Sequence, residues 1–371
     1  MKILITCAGT GGHINPAIAI ANIMKQENKD CEILFIGRKE GMEHDLITKA
    51  GYKIIGISTG KLLRKLTFKN ISEMINAYKG IKEAKKILKE FKPDICIGTG
   101  GYICIPVMFA SKSLKIPYIM HESNSYPGLA TKILVKKSAK TLCGFKQTLD
   151  NLNNCKNLVY TGTPSNIDYY SYNKLDKITC RKELNIPLDL KVVFVTFGSQ
   201  GAKYLNYKII DMILEFKNEE ILYILVTGNN NYNEVLEYLK TDKNIDYTKY
   251  IKVEKYIYEM DKLYKSSDMC ITRAGALTIT ELILTKKPSV LIPLPYATEN
   301  HQYYNALVIE KAGAGKIIEE KYFDSKIINE YILNTLETKE KLNEVTEKYN
   351  KILKLDVKDV IYKEIYEVLK K

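Results

Sequence analysis

The sequence predicts an α/β chain built from two doubly wound parallel-sheet domains, and three observations carry that prediction. Short apolar runs alternate with longer amphipathic stretches along its 371 residues, the βαβ rhythm of parallel sheets covered by helices on both faces. The rhythm breaks across residues 159–173, "VYTGTPSNIDYYSYN", where Gly, Pro, Asn and Ser cluster. The two halves also rhyme: "TCAGTGGHINP" and "VTFGSQGAKYLN" each follow a strand-like run and open a helical one.

In chain order, "KILIT", "CEILFIG", "YKIIGI", "PDICIGTGG" and "IPYIMHES" read as the strands of the first half. "KVVFVTFG", "LYILVTG", "IKVEKYI", "MCITRAG" and "SVLIPLP" read as those of the second. From about Lys339 the tail is rich in lysine and glutamate, with Ile352, Leu355, Val360, Ile361, Ile365 and Leu369 at helical spacing. The expected organisation is therefore 1–162 and 163–340 as two Rossmann-like domains and 341–371 as a helical tail packed back on the body. Glycine turns at the carboxyl ends of strands place ligand binding in a cleft between the two domains.

Composition bounds the function. The apolar fraction of 46% and charged fraction of 27% are those of a globular protein, and no run approaches the roughly 18 apolar residues of a membrane helix. "MKILIT" enters a strand without the apolar region of a signal peptide. Eight cysteines contain no C-x-x-C, which argues against a zinc site or a disulfide framework and for a reduced, cytosolic chain. The net charge of +13 is almost wholly lysine, since arginine occurs only at 38, 64, 181 and 273. It favours phosphorylated ligands, acidic lipid or nucleic acid, or else reflects an AT-rich coding sequence. No nucleic-acid-reading motif is present, so that partner ranks last.

The first glycine loop raises the central question. Gly9, Gly11 and Gly12 allow a sharp turn and close approach of a ligand, and Pro16 suits the first turn of a helix expected to bury Ala17, Ile18, Ala21 and Met24. The N–H groups at that helix start attract phosphate; a purely structural turn is the competing reading. "AGTGGH" is not G-x-G-x-x-G, "FIGRKEG" lacks a ribose-binding acid at the tip of the second strand, and no Walker G-K-[ST] follows. His13 adds a ring that exchanges protons near neutral pH, or a structural histidine. "GTGGYICIP" (98–106) supplies Gly100, Gly101 and Tyr102, or a turn with a core tyrosine. In "HESN", His121, Glu122, Ser123 and Asn124 end a strand as a polar site outside the core, or cap a helix.

In the second half "TRAGALTITEL" places Arg273 and a small-residue turn before a helix on which Thr278 and Glu281 share a face. Glu281 would accept hydrogen bonds from a ribose diol or lie solvated. "PLPYATENHQYYNA" gathers Glu299, Asn300, His301, Gln302 and Asn305, which suit sugar hydroxyls or an ordinary N-capped helix.

Taken in order, "GTGGHINPAIAIA", "GTGGY", "HESN", "GSQGA", "RAGALTITE" and "NHQYYNA" resemble the MurG family of peptidoglycan glycosyltransferases over essentially the whole chain. The resemblance implies the GT-B architecture, two Rossmann-like domains facing across a cleft, with the lipid-linked acceptor on the first and the nucleotide sugar mostly on the second. It implies an inverting transfer of N-acetylglucosamine from UDP-N-acetylglucosamine to the 4-hydroxyl of undecaprenyl-diphospho-N-acetylmuramoyl-pentapeptide. Carried over by position, His13 is the base, with Glu122 as the alternative, and Tyr102 meets the acceptor. Thr10, Gly11, Gly12, Asn124, Ser199 and Gln200 fall on donor-binding positions. Ile257 falls against uracil, Ala276, Leu277 and Thr278 at the diphosphate and nucleoside, Glu281 at the ribose, and His301 and Gln302 at sugar hydroxyls.

Three departures from the family stand out. Asn166 replaces an arginine in "GTPSN", and Ala8 and Phe197 occupy positions usually held by glycine. No D-x-D lies near the donor loops, so no cofactor and no structural metal are expected, with magnesium as a phosphate counterion left open. "GKLLRKLTFKN" (60–70) mixes basic and apolar residues as a peripheral patch on an anionic membrane would, or as a surface helix with core-facing leucines. The expected location is the cytoplasmic face of the cell membrane. Two rivals stay open: a GT-B enzyme acting on diacylglycerol, and a nucleotide-sugar-binding protein without turnover.

Overall fold

The structure, a computed structural model, describes residues 1–60, 69–165, 167, 169–198, 201–241, 246–352 and 356–370. The chain forms two compact units, Met1–Asn166 with Leu355–Lys371, and Ile167–Lys354.

The first unit is a parallel sheet of seven strands: β1 (Lys2–Thr6), β2 (Glu32–Arg38), β3 (Lys53–Ile57), β4 (Ile95–Gly98), β5 (Tyr118–Glu122), β6 (Lys140–Cys143) and β7 (Leu158–Tyr160). Their order is β3-β2-β1-β4-β5-β6-β7. The chain winds outward from β1 in one direction and from β4 in the other, so its topological switch point lies between these neighbours, where Ile5 pairs with Ile97. β4 and β5 are buried along their whole length, as expected where helices cover both faces, whereas edge strand β3 alternates. The period of two divides the core. Ile3, Ile5 and Phe35 face one cluster with Ile14, Ile20 and Met24, while Leu4, Ile36 and Cys96 face another with Leu88, Val107 and Met108.

The second unit repeats the plan with six parallel strands: β8 (Lys191–Thr196), β9 (Ile221–Val226), β10 (Ile251–Glu254), β11 (Met269–Thr272), β12 (Ser289–Leu291) and β13 (Gly315–Ile317). Their order, β10-β9-β8-β11-β12-β13, puts its switch point between β8 and β11. Arg181 ties its base together. Nearly fully buried, it donates to the carbonyls of Ser266, Pro187, Leu188 and Leu190 at 2.8–3.1 Å and to Asp268 Oδ2 at 3.0 Å.

The lysine-rich tail is divided between the units. Helix Lys339–Glu347 and the short turn Lys348–Lys351 lie in the second, whereas Val357–Leu369 returns to the first and inserts Ile361 and Ile365 beside Ile3 and Ile5. Lys140 at the start of β6 pairs with Glu364 and Glu367 of that last helix. Among the described residues no helix is long and apolar enough to cross a membrane.

Candidate active site

In the first unit the switch point is built around His13. The helix after β1 runs Gly11–Glu27, so Pro16 is its sixth residue, past the first turn in which it was expected. Pro16 has no N–H to return to the carbonyl of Gly12, its i−4 partner, so the helix lacks that one bond near its start. Ala17, Ala21 and Met24 are buried as expected, but Ile18 is only partly so. Thr10 caps the helix without a side-chain bond and no acid sits in its first turn, which leaves the positive end of the helix uncompensated.

His13 stands in that first turn, its Nδ1 3.1 Å from the Ala8 carbonyl. A carbonyl only accepts, so Nδ1 carries a proton, and in the neutral form of the ring the lone pair lies on Nε2. The β4 loop closes on the same ring. Thr99 Oγ1 donates to the His13 carbonyl at 2.7 Å, and Gly100, at φ +120°, packs so tightly that a methyl there would fall 2.4 Å from His13 Cδ2 and 2.8 Å from Nε2. Gly101, at φ +85°, brings its backbone as close to Ala8. Tyr102 follows on this loop and is half-buried.

The "HESN" segment corrects its expected exposure: His121, Glu122 and Ser123 are buried, because each is satisfied from within. Glu122 Oε1 accepts from the Asn124 amide and Nδ2 at 3.0 and 3.1 Å, and Oε2 from the Gly128 amide at 2.9 Å and Thr131 Oγ1 at 2.6 Å. Four donors on one carboxylate make Glu122 the organiser of residues 123–131, a use that competes with service as a base. His121 donates from Nε2 to the Gly162 carbonyl at 3.3 Å and accepts from Ser123 at Nδ1, and burial pulls its pKa down to about 4. It is held neutral.

In the second unit the helix Ala276–Thr285 starts directly after the β11 loop, with Gly275 at its cap, no capping side chain and no acid in its first turn. The amides of Ala276, Leu277 and Thr278 therefore form an anion-attracting end. Glu281 follows on the same helix, and Tyr264, buried on the helix Met260–Ser266, donates to its Oε2 at 3.1 Å. Burial pushes the Glu281 carboxyl up to about 7, partly offset by that hydrogen bond. Gln302 Oε1 accepts from the amides of Ala274 and Leu294 at 3.3 and 3.0 Å, and Asn305 donates to the Ala274 carbonyl, so the helix His301–Ala312 fastens the β11 and β12 loops together. His301 opens that helix after Glu299 and Asn300, both left-handed at φ 56° and 52°; no side-chain hydrogen bond caps it, unlike an ordinary N-capped start. Ile257, after β10, lies in the wall of a pocket of about 210 Å³ that also includes Leu184, Ile224, Tyr256 and Leu263. Two donor positions, Ser199 and Gln200, fall outside the described residues, as do Asn166 and 61–68 of the basic, apolar stretch.

Sequence reasoning missed Thr99, Thr131 and Tyr264, and left Arg273 without a role. Thr131 lies nine residues beyond its partner Glu122 and Tyr264 seventeen before Glu281, spacings that match no local periodicity. Among the described residues no group of three or more histidine, cysteine or acidic side chains stands ready for a metal.

Comparisons with known proteins place these features. Residues 3–143 match the glycosyltransferase family 28 N-terminal domain, and 192–361 the glycosyltransferase family 28 C-terminal domain. A protein of Thermoanaerobacter sp. (strain X514), named UDP-N-acetylglucosamine--N-acetylmuramyl-(pentapeptide) pyrophosphoryl-undecaprenol N-acetylglucosamine transferase, is 36% identical over 368 residues, covering 99% of this chain and 100% of its own. One of the same name from Clostridioides difficile (strain 630) is 37% identical over 370 residues, covering 99% and 89%. Among solved structures, Acinetobacter baumannii MurG superposes with a TM-score of 0.76 at 24% identity, covering 99% of both chains.

Proposed function

The chain belongs to glycosyltransferase family 28, and from that premise we propose that it transfers N-acetylglucosamine from UDP-N-acetylglucosamine to the 4-hydroxyl of undecaprenyl-diphospho-N-acetylmuramoyl-pentapeptide, a step in peptidoglycan precursor synthesis. The observation that carries the chemistry is His13, whose Nδ1–H is committed to Ala8 so that Nε2 holds the basic lone pair. His13 Nε2 takes the proton of the acceptor 4-hydroxyl as that oxygen bonds to the anomeric carbon. The bond from the anomeric carbon to the diphosphate breaks on the opposite side, inverting the centre to a β-1,4 link, and UDP leaves with the electron pair. The amides of Ala276, Leu277 and Thr278 receive the charge that develops on the diphosphate. Glu281 accepts from the ribose diol, Ile257 meets uracil through its backbone, and His301 and Gln302 meet the sugar hydroxyls. Thr10, Gly11, Gly12, Asn124, Ser199 and Gln200 complete the donor contacts, and Tyr102 meets the acceptor. No cofactor takes part in these steps.

The acceptor is lipid-linked, and we place the enzyme peripherally on the cytoplasmic face of the membrane. Supporting this, helix Lys69–Phe91 exposes Ile75 and Tyr78 on the face that carries Lys79 and Lys82. It packs on helix Cys104–Ser113, which exposes Phe109, and that helix packs on Leu129–Leu134, which exposes Leu129 and Ile133. Lys112 and Lys132 lie on those two helices and Lys136 and Lys137 in the turn that follows, a mixture of apolar and cationic side chains that anionic lipid attracts.

The test is transfer of labelled N-acetylglucosamine to a short-chain lipid-linked muramoyl-pentapeptide, comparing wild type with His13→Ala. Transfer by the wild type, abolished in a variant that still binds UDP, is the expected result. Tight donor binding by the wild type without transfer to this acceptor would overturn the assignment.

A further inference from the structure

Arg273 gathers the carboxyl ends of four neighbouring strands of the second unit. It follows β11 directly, and its side chain is only 11% exposed. Its Nη1 donates to the carbonyls of Ile292 and Pro293, just past β12, at 3.2 and 3.1 Å. The same nitrogen lies 2.6 Å from Glu320 Oε2, in the turn beyond β13. The guanidinium carbon sits 6.0 Å from the centroid of the Phe197 ring, the first residue past β8. Phe197 is itself buried, in the cluster formed by Val195, Leu205 and Ile271.

The residue after Arg273 is Ala274, whose amide and carbonyl are held by Gln302 and Asn305, and two further on begins the helix whose first amides face the diphosphate. A displacement at Arg273 is therefore passed over three residues to those amides. Its charge is already matched by Glu320, which leaves geometry as its contribution: its polar contacts converge on Nη1 while the flat guanidinium stands toward the Phe197 ring, and an ammonium has no planar face to lay there.

Resting on the donor site described above, we infer that Arg273 is a positioning residue for the transfer, which with Phe197 and Glu320 fixes the diphosphate-binding end of helix Ala276–Thr285 without touching the donor. The phenylalanine that replaces the family's glycine at 197 thereby acquires a purpose, because its ring is the plate against which the guanidinium is held.

The test measures kcat, donor KM and acceptor KM, together with calorimetric affinity for UDP, in wild type, Arg273→Lys, Arg273→Gln, Phe197→Leu and Glu320→Gln. The expected result is a donor KM and UDP dissociation constant raised about tenfold or more in both Arg273 variants, a few-fold in the other two, and an unchanged acceptor KM. Lysine is expected to rescue no better than glutamine. If Arg273→Lys keeps the wild-type donor KM, charge and not positioning is the contribution and the inference falls. If both KM values stay constant while only thermal stability and the active fraction drop, the role is structural and the inference also falls. Should the Arg273 variants not fold, Phe197→Leu and Glu320→Gln decide by the same criteria. A wild type that binds no UDP would instead defeat the donor-site reading itself, separately from any variant.

Discussion

Replacing Gly100 with alanine tests whether the glycine loops exist to seat His13. Gly100 sits at φ +120°, and its new methyl would fall 2.4 Å from His13 Cδ2. Restoring an ordinary contact of about 3.4 Å requires the ring or the loop to retreat by about 1 Å, and a misplacement of that size at a reacting group costs on the order of 10²-fold in rate. Backbone strain adds about 1–3 kcal/mol to the loss of stability. Gly9→Ala separates the two effects: Gly9 has a similar φ of +108°, but its methyl would meet His13 Nδ1 at an unstrained 3.7 Å. Both variants should lose thermal stability through strain, Gly100→Ala the more because of its clash, while kcat at saturating donor and acceptor falls about a hundredfold only in Gly100→Ala, with UDP affinity unchanged in both. Adding Gly100→Ala to His13→Ala should cost little more, since the ring that the new methyl displaces is already gone. A Gly100→Ala enzyme whose kcat stays within threefold of Gly9→Ala would refute the reasoning.

Glu281 and Arg181 give two further outcomes. With its carboxyl raised from 4.5 to about 7, Glu281 binds more protons folded than unfolded, so its contribution to stability declines as pH rises through that window, by at most about 3 kcal/mol. Glu281→Gln should therefore melt higher than wild type at pH 8, converge with it below pH 4.5, and bind UDP more weakly; equal melting curves at pH 8 would count against the shift. Arg181→Ala should destabilise the second unit by about 2–3 kcal/mol in urea titration by leaving three loop carbonyls without this donor and Asp268 with only Lys177 and the Val192 amide, and Arg181→Lys should not restore it, since an ammonium has three donors against five.

The two sheets and their strand-end loops were legible because a buried parallel strand leaves an unbroken apolar run such as "ICIG", and glycine marks where it turns. The helix start at Gly11 was misread because glycine and proline signal a turn locally, while in the fold the packing of Ile14, Ala17 and Ala21 extends the helix backward through them. "HESN" was misread as exposed because polarity predicts solvent only when partners are lacking; Thr131 and Gly162, which satisfy Glu122 and His121, lie nine and forty-one residues away. The role of Arg273 was hidden for the same reason, its partners standing on three other strand ends.

The two sheets share one winding plan, yet their strand tips are furnished for different work. A nucleoside bound to the first unit in the manner of a dinucleotide would bring its ribose to the tip of β2. There Glu43 is fully buried, its Oε1 accepting from the Arg38 amide and Nε at 3.1 and 2.9 Å and its Oε2 from Nη2 at 3.1 Å. The backbone closes over this pair so tightly that a methyl on Gly41 would fall 2.3 Å from Oε2. The acid at that tip is thus spent on an internal arginine, and the adjoining loops are spent on seating an imidazole. In the second unit the acid, Glu281, stands instead on the helix after β11, held by a tyrosine hydroxyl that leaves it further lone pairs for a diol. The proposed division of labour, a nucleotide site in the second unit and a proton-transfer site in the first, thus matches whether the carboxylate near the switch point is consumed by the protein or kept for the ligand.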